Sequence, residues 1–221
     1  MAAFSASSRN RLTHHDLERF TTDTLFDRIA RAVCEAGCLP RKELYEAWEV
    51  ARRTRRLFRG GRVVDLGGGH GLVTHIMLLL DNSSPSAVVV DPAIPDSAVT
   101  LNDALVRTWP RLADRVTYLP QRMEATVLAA DDVVVSCHAC GALTDQVLTQ
   151  AAAARARVAV LPCCHDLESC DPGALAGWMD ATLAVDAMRA IRLERQGYRV
   201  RTQTIPVAIT PKNRLLLGEP C

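Results

Sequence analysis

Two groups of residues in this chain are spaced for chemistry. The first is the run Val63-Val64-Asp65-Leu66-Gly67-Gly68-Gly69-His70-Gly71. An apolar strand ends on a carboxylate, and the chain then turns through Gly67, Gly69 and Gly71 into an apolar helix. Glycine accepts φ > 0 and lets backbone approach a ligand closely. At the carboxyl edge of a parallel sheet, such a bend suits an adenosine-containing cofactor. A dinucleotide fingerprint would need a third glycine where Leu72 stands. Asp91 ends Ala87-Val88-Val89-Val90 and can accept hydrogen bonds from both hydroxyls of a ribose, or simply cap the turn before Pro92. After the next strand, Met123 can pack on an adenine face while Glu124 or Gln121 reaches its amino group; a plain helix start fits the same residues.

The second group is Ser136-Cys137-His138-Ala139-Cys140-Gly141 and Leu161-Pro162-Cys163-Cys164-His165-Asp166. Each follows an apolar strand, so both fall on the rim that carries the glycine bend. Three chemistries suit them. His138 or His165 can act as a base, since histidine titrates near neutral pH. Cys137-x-x-Cys140 has metal-ligand spacing, with Cys163, Cys164, His165 and Cys170 available to complete a site; a single such pair is a weak signal, and no metal is assigned. A covalent cysteine would need a lowered thiol pKa. Buried packing is the plain alternative for all of these cysteines.

These residues need a scaffold, and the pattern predicts one. Strands are expected at 62–66, 87–91, 115–119, 132–137 and 157–162, with helices at about 71–80, 96–107, 121–129 and 141–154. Such alternation implies a parallel sheet covered on both faces, and the runs Val88–Val90 and Val133–Val135 suit strands buried on both sides. A helical stretch over about 172–196, interrupted midway, precedes two late strands, Tyr198 to Ile205 and Arg214 to Gly218, that read as an antiparallel ending. Ahead of this domain (61–221), an extension over 1–60 holds a frayed tail to about residue 12 and two helices. One helix runs from Thr22-Asp23 to about Cys34, and the other from Pro40 to about Phe58.

Composition narrows the class. The 221 residues are 48% hydrophobic, enough for one well-filled α/β domain. A net charge of +1 argues against a generally cationic nucleic-acid coat. Residues 1–64 nevertheless hold 13 basic against 8 acidic residues, and Arg52, Arg53, Arg55, Arg56 and Arg59 crowd one helix end. Arginines there complement the helix dipole and are usually solvated; the alternative is a phosphate- or RNA-contacting patch beside the cofactor mouth. The first 20 residues lack the apolar core of a secretory signal, and no apolar run spans a bilayer, so a cytoplasmic location with 8 reduced cysteines is expected.

The bend, Gly-x-Gly-x-Gly with an acid two residues ahead, resembles the first motif of class I S-adenosylmethionine (SAM) methyltransferases. His138-Ala139-Cys140-Gly141-Ala142-Leu143-Thr144-Asp145 resembles a motif of the methyltransferase-32-type domain, Pro162-Cys163-Cys164-His165 is similar to a second, and Thr210-Pro211-Lys212-Asn213-Arg214 to its closing segment. The resemblance covers about residues 40 to 218 and departs at Ala142, where the family carries aspartate. The group includes the methyltransferase-like 25 proteins and a tRNA 2′-O-methyltransferase. It implies a Rossmann-like sheet of seven strands, mainly parallel with the last reversed. It also implies a SAM-dependent methyltransferase in which Asp65, Gly67, Gly69, Gly71, Asp91, Met123 and Glu124 hold the cofactor. His138, Cys140, Cys163, Cys164 and His165 would line the methyl-transfer pocket. The acceptor is expected to be RNA or protein rather than a small molecule, with RNA contact through Arg52, Arg53, Arg55 and Arg56. The alternative is a metal-binding or redox-responsive Cys/His protein on the same fold.

Overall fold

The computed structural model describes residues 4–221. Helix α1 (Leu25–Ala36) starts where the Thr24 side chain accepts the Asp27 N–H, and it stops at Gly37, whose φ of 64° leaves the helix. Helix α2 (Arg41–Leu57) follows Pro40. The alternating part then reads β1 (Val63–Leu66), α3 (Leu72–Leu80), β2 (Ala87–Val90), α4 (Ser97–Thr108), β3 (Val116–Leu119), β4 (Val133–Ser136), α5 (Ala142–Ala153) and β5 (Arg157–Val160). Helix α6 (Ala181–Arg195), β6 (Tyr198–Thr204) and β7 (Arg214–Pro220) close the chain.

The seven strands lie in the order β3-β2-β1-β4-β5-β7-β6. Strands β1 to β5 pair in parallel, and β7 runs antiparallel to both β5 and β6. The order reverses between β1 and β4, which opens a crevice at the strands' carboxyl ends. Alternate side chains leave opposite faces of a strand. Val63, Val133 and Val135 accordingly join one core with α1, α2 and α3, while Val64, Leu66 and Val134 join a second core with α5 and α6. The helices of residues 1–60 therefore share their core with the sheet. Among the described residues, no helix is long and apolar enough to cross a membrane.

Three expectations are corrected. The described part of the 1–12 tail is docked rather than frayed: Arg11 bridges Pro40, the Leu12 N–H donates to the Leu39 carbonyl, and Leu12 is fully buried. The Arg41 and Lys42 N–H groups also donate to the Asn10 and Ser8 carbonyls, so backbone pairing and apolar burial hold the segment together. The helix expected over 121–129 shrinks to a 3-10 turn at Met123–Ala125. Its continuation has no apolar stripe to bury, and Val127 is 84% exposed. The arginine cluster ends at the sheet's amino edge, because α2 places Glu43 and Ala47 at the crevice over the strands' carboxyl ends and its last turn beside the loops leading into β1 and β2. Arg55 is buried there, donating to the carbonyls of Met77 and Phe58 and to Ser84 Oγ, and pairing with Asp81 at 3.3 Å. Arg52 and Arg53 pair with Glu49 on their own helix, and Arg56 is exposed.

Candidate active site

A cavity of about 540 Å³ lies over the carboxyl ends of β1, β2 and β4. That is within the usual range for a small-molecule or cofactor site. Its floor is the bend Gly67-Gly68-Gly69-His70, where the Gly67 N–H donates to the Val90 carbonyl (2.8 Å) and the Gly71 N–H to the Gly68 carbonyl (2.8 Å). Gly71 does not line the cavity; it starts α3 beneath the bend with φ of 73°. A Cβ there would stand 2.7 Å from a Val89 methyl carbon and 3.2 Å from the Tyr118 hydroxyl, so both conformation and space demand glycine.

Two carboxylates face this floor. Asp91 lies just beyond β2, where Oδ2 accepts the Gly69 N–H (3.2 Å) and Oδ1 the Ala93 N–H (3.0 Å). Each carboxylate oxygen keeps a further acceptor position. Asp65 is almost wholly buried and, among the described residues, accepts only the Thr74 hydroxyl, at 3.0 Å. Burial, with a smaller push from Asp91, raises its pKa from 3.8 to about 7. Met123 and Glu124 stand on the wall after β3, with Met123 buried and Glu124 exposed. Gln121 is turned aside, its amide donating to Thr126 Oγ1 at 3.2 Å.

Three lining residues lacked a role in the sequence reading. His70 lies inside the bend, its Nδ1 2.9 Å from Ser97 Oγ, and burial lowers its pKa. A titratable residue among four glycines was the available signal. Glu43 enters from α2 and Arg122 follows β3; only folding α2 over the sheet edge brings Glu43 here, and no local pattern marks it.

His138 lines this cavity and also a second one of about 480 Å³, walled by Arg9, Lys42, Glu43, Cys163, Cys164 and Lys212 among others. The loops after β4 and β5 are tied together by the Gly141 N–H donating to the Cys164 carbonyl (3.1 Å). Cys140, Cys163 and Cys164 thereby converge, their sulfurs all within 4.8 Å of one another and the first two 2.8 Å apart. The spacing Cys137-x-x-Cys140 does not form a pair: Cys137 is buried between the core and the first cavity, away from the other thiols, and burial holds its thiol well above the ordinary range. Burial also raises Cys163 and Cys140. Cys164 is lowered, by hydrogen bonds from Cys140 and Cys163 and by Lys212 Nζ at 3.5 Å.

His165 turns away from both cavities, its Nε2 2.8 Å from Asp186 Oδ1. Buried Arg189 holds this region, donating to Asp145 (2.7 Å), Asp186 (3.2 Å), the Gly141 carbonyl (2.9 Å) and Cys170 (3.5 Å). Asp145 and Cys170 thus position the thiol loops and do not line either cavity.

The sequence from residue 45 to 169 matches a family model described as a methyltransferase domain. A glutathione S-transferase C-terminal domain-containing protein homolog of Drosophila melanogaster is 25% identical over 199 residues, which cover 72% of this chain and 33% of that protein. The chain thus spans a third of that relative's length. Solved structures share the fold. They include an O-methyltransferase family protein from Burkholderia thailandensis (TM-score 0.53, 17% identity, 93% of this chain, 62% of that one). Another is the mitomycin 7-O-methyltransferase (TM-score 0.54, 21%, 93% and 60%). A third is the precorrin-6y C5,15-methyltransferase of Geobacter metallireducens (TM-score 0.52, 13%, 79% and 87%). The family match takes in more than half of the residues, from α2 through the glycine bend to the thiol loops, and on that ground the chain belongs to this methyltransferase domain family.

Proposed function

We propose that SAM occupies the 540 Å³ cavity and that the methyl acceptor enters from the second cavity, meeting it at His138. The observation carrying this reading is that the two cavities share Glu43 and His138 as a common wall. The residues fit the cofactor: Asp91 offers two acceptor oxygens, Gly67 and Gly69 present backbone without side chains, and Met123 gives a flat apolar contact. Asp65 faces the cavity and fixes the bend to α3 through Thr74, Gly71 acts from beneath it, and Glu124 stands at the rim. When bound, SAM supplies an electrophilic methyl on a sulfonium. His138 accepts the proton released by a hydroxyl or amine acceptor at a ring nitrogen, while His165 orients its loop through Asp186.

The acceptor we favour is RNA or protein. The second cavity's walls carry exposed residues, Ser7, Arg9, Pro211 and Lys212, so it is an open groove suited to a group protruding from a large molecule. Calorimetry with S-adenosylhomocysteine tests the cofactor half. Wild type should bind, and Asp91→Ala should weaken binding about 10- to 100-fold, since charge-assisted hydrogen bonds contribute roughly 1.5–3 kcal/mol. Unchanged affinity would contradict the assignment. Incubating methyl-labelled SAM with the enzyme and fractionated cell extract tests the acceptor half; label confined to small molecules would overturn it.

A further inference from the structure

We propose that Cys140, Cys163 and Cys164 bind one zinc ion through three sulfur ligands, leaving its fourth position to the second cavity. The three come from two loops 23 residues apart that a backbone hydrogen bond clamps together, and all three sulfurs already lie within 4.8 Å of one another. Tetrahedral zinc with sulfurs at about 2.3 Å sets them about 3.8 Å apart. Cys140 and Cys163, at 2.8 Å, need only separate by a small side-chain rotation.

Charge supports the same assignment. Three thiolates around a dication leave one negative charge, and Lys212 Nζ, 3.5 Å from Cys164, offsets it. Cys163 and Cys164 line the second cavity, and no fourth Cys, His or carboxylate joins the cluster among the described residues. Three protein ligands with one position left over is the coordination of catalytic rather than structural zinc. The open position takes water or an acceptor heteroatom, and this last clause rests on the acceptor groove proposed above.

The test uses the full chain, purified under reducing conditions without chelator. Elemental analysis should find one zinc per chain, and cobalt substitution should give an intense thiolate-to-metal charge-transfer band. Cys140→Ser, Cys163→Ser and Cys164→Ser should each lose the metal, whereas Cys221→Ser, at an exposed cysteine outside the cluster, should keep it. S-adenosylhomocysteine binding by each variant reports whether the fold and cofactor cavity survive, which separates failure of the zinc site from failure of the methyl-transfer reading. Wild type that binds S-adenosylhomocysteine but takes up no added zinc, or a folded Cys164→Ser that retains stoichiometric metal, would overturn the proposal.

Discussion

Asp65 should make the protein less stable as pH rises from about 4 to neutrality. Its carboxyl lies almost wholly buried under the glycine bend with one hydroxyl donor, and its pKa stands at about 7 against 3.8 for an exposed aspartate. Below pH 3.8 the group is protonated in folded and unfolded chains alike, and burial adds no penalty. Between 3.8 and about 7 the unfolded chain releases the proton and the folded chain keeps it, so stability falls with each step in pH. One pH unit corresponds to about 1.4 kcal/mol, so the full window holds about 4 kcal/mol. Asp65→Asn keeps an oxygen for Thr74 and cannot ionise. Urea denaturation of both proteins from pH 4.5 to 8 isolates the effect, because His70 and His75, whose pKa values burial lowers, contribute alike in each. The stability difference, Asn variant minus wild type, should climb by several kcal/mol across the range and level off above pH 7.5. Parallel curves would show that Asp65 is ionised in the fold, and the burial argument would be wrong.

Other perturbations address separate parts of the molecule. His138→Gln should lower kcat about 10²- to 10⁴-fold, the usual contribution of a positioned base, with S-adenosylhomocysteine affinity held within a few-fold; an unchanged kcat would remove His138 from the proton path. Gly71→Ala should cost about 1–3 kcal/mol for the strained φ, more where Val89 and Tyr118 must yield, read as a fall in denaturation midpoint. Arg55→Met should destabilise by about 1–3 kcal/mol, because the buried Met77 carbonyl and Ser84 hydroxyl lose their guanidinium donor while Asp81 keeps Ser83 and the Gly60 N–H; an unchanged denaturation midpoint would refute it.

Much of the frame could be read locally. The βα alternation, the glycine bend and the reversed final strand each depend on a short window of sequence. Strand interiors must be apolar on both faces, and Gly71 must occupy φ > 0 against Val89. The helix over 121–129 was misread because helical residue types there meet no surface to cover. The docked Arg11-Leu12 segment was misread because its partner, the Leu39-Pro40 turn, lies far along the chain.

Reading along the chain was enough for the sheet, for the glycine bend with Asp65 and Asp91 beside it, and for the cysteines and histidines that follow β4 and β5. Only the tertiary structure decided which of them meet. It joined Cys140 to Cys163 and Cys164, buried Cys137 apart from them, sent His165 to Asp186, brought Glu43 to the cavity and buried Arg55 at the opposite edge. The physical reason is range: backbone preference and hydrophobic period act over a few neighbouring residues, whereas side-chain partnership depends on how two distant loops and one packed helix are set against each other.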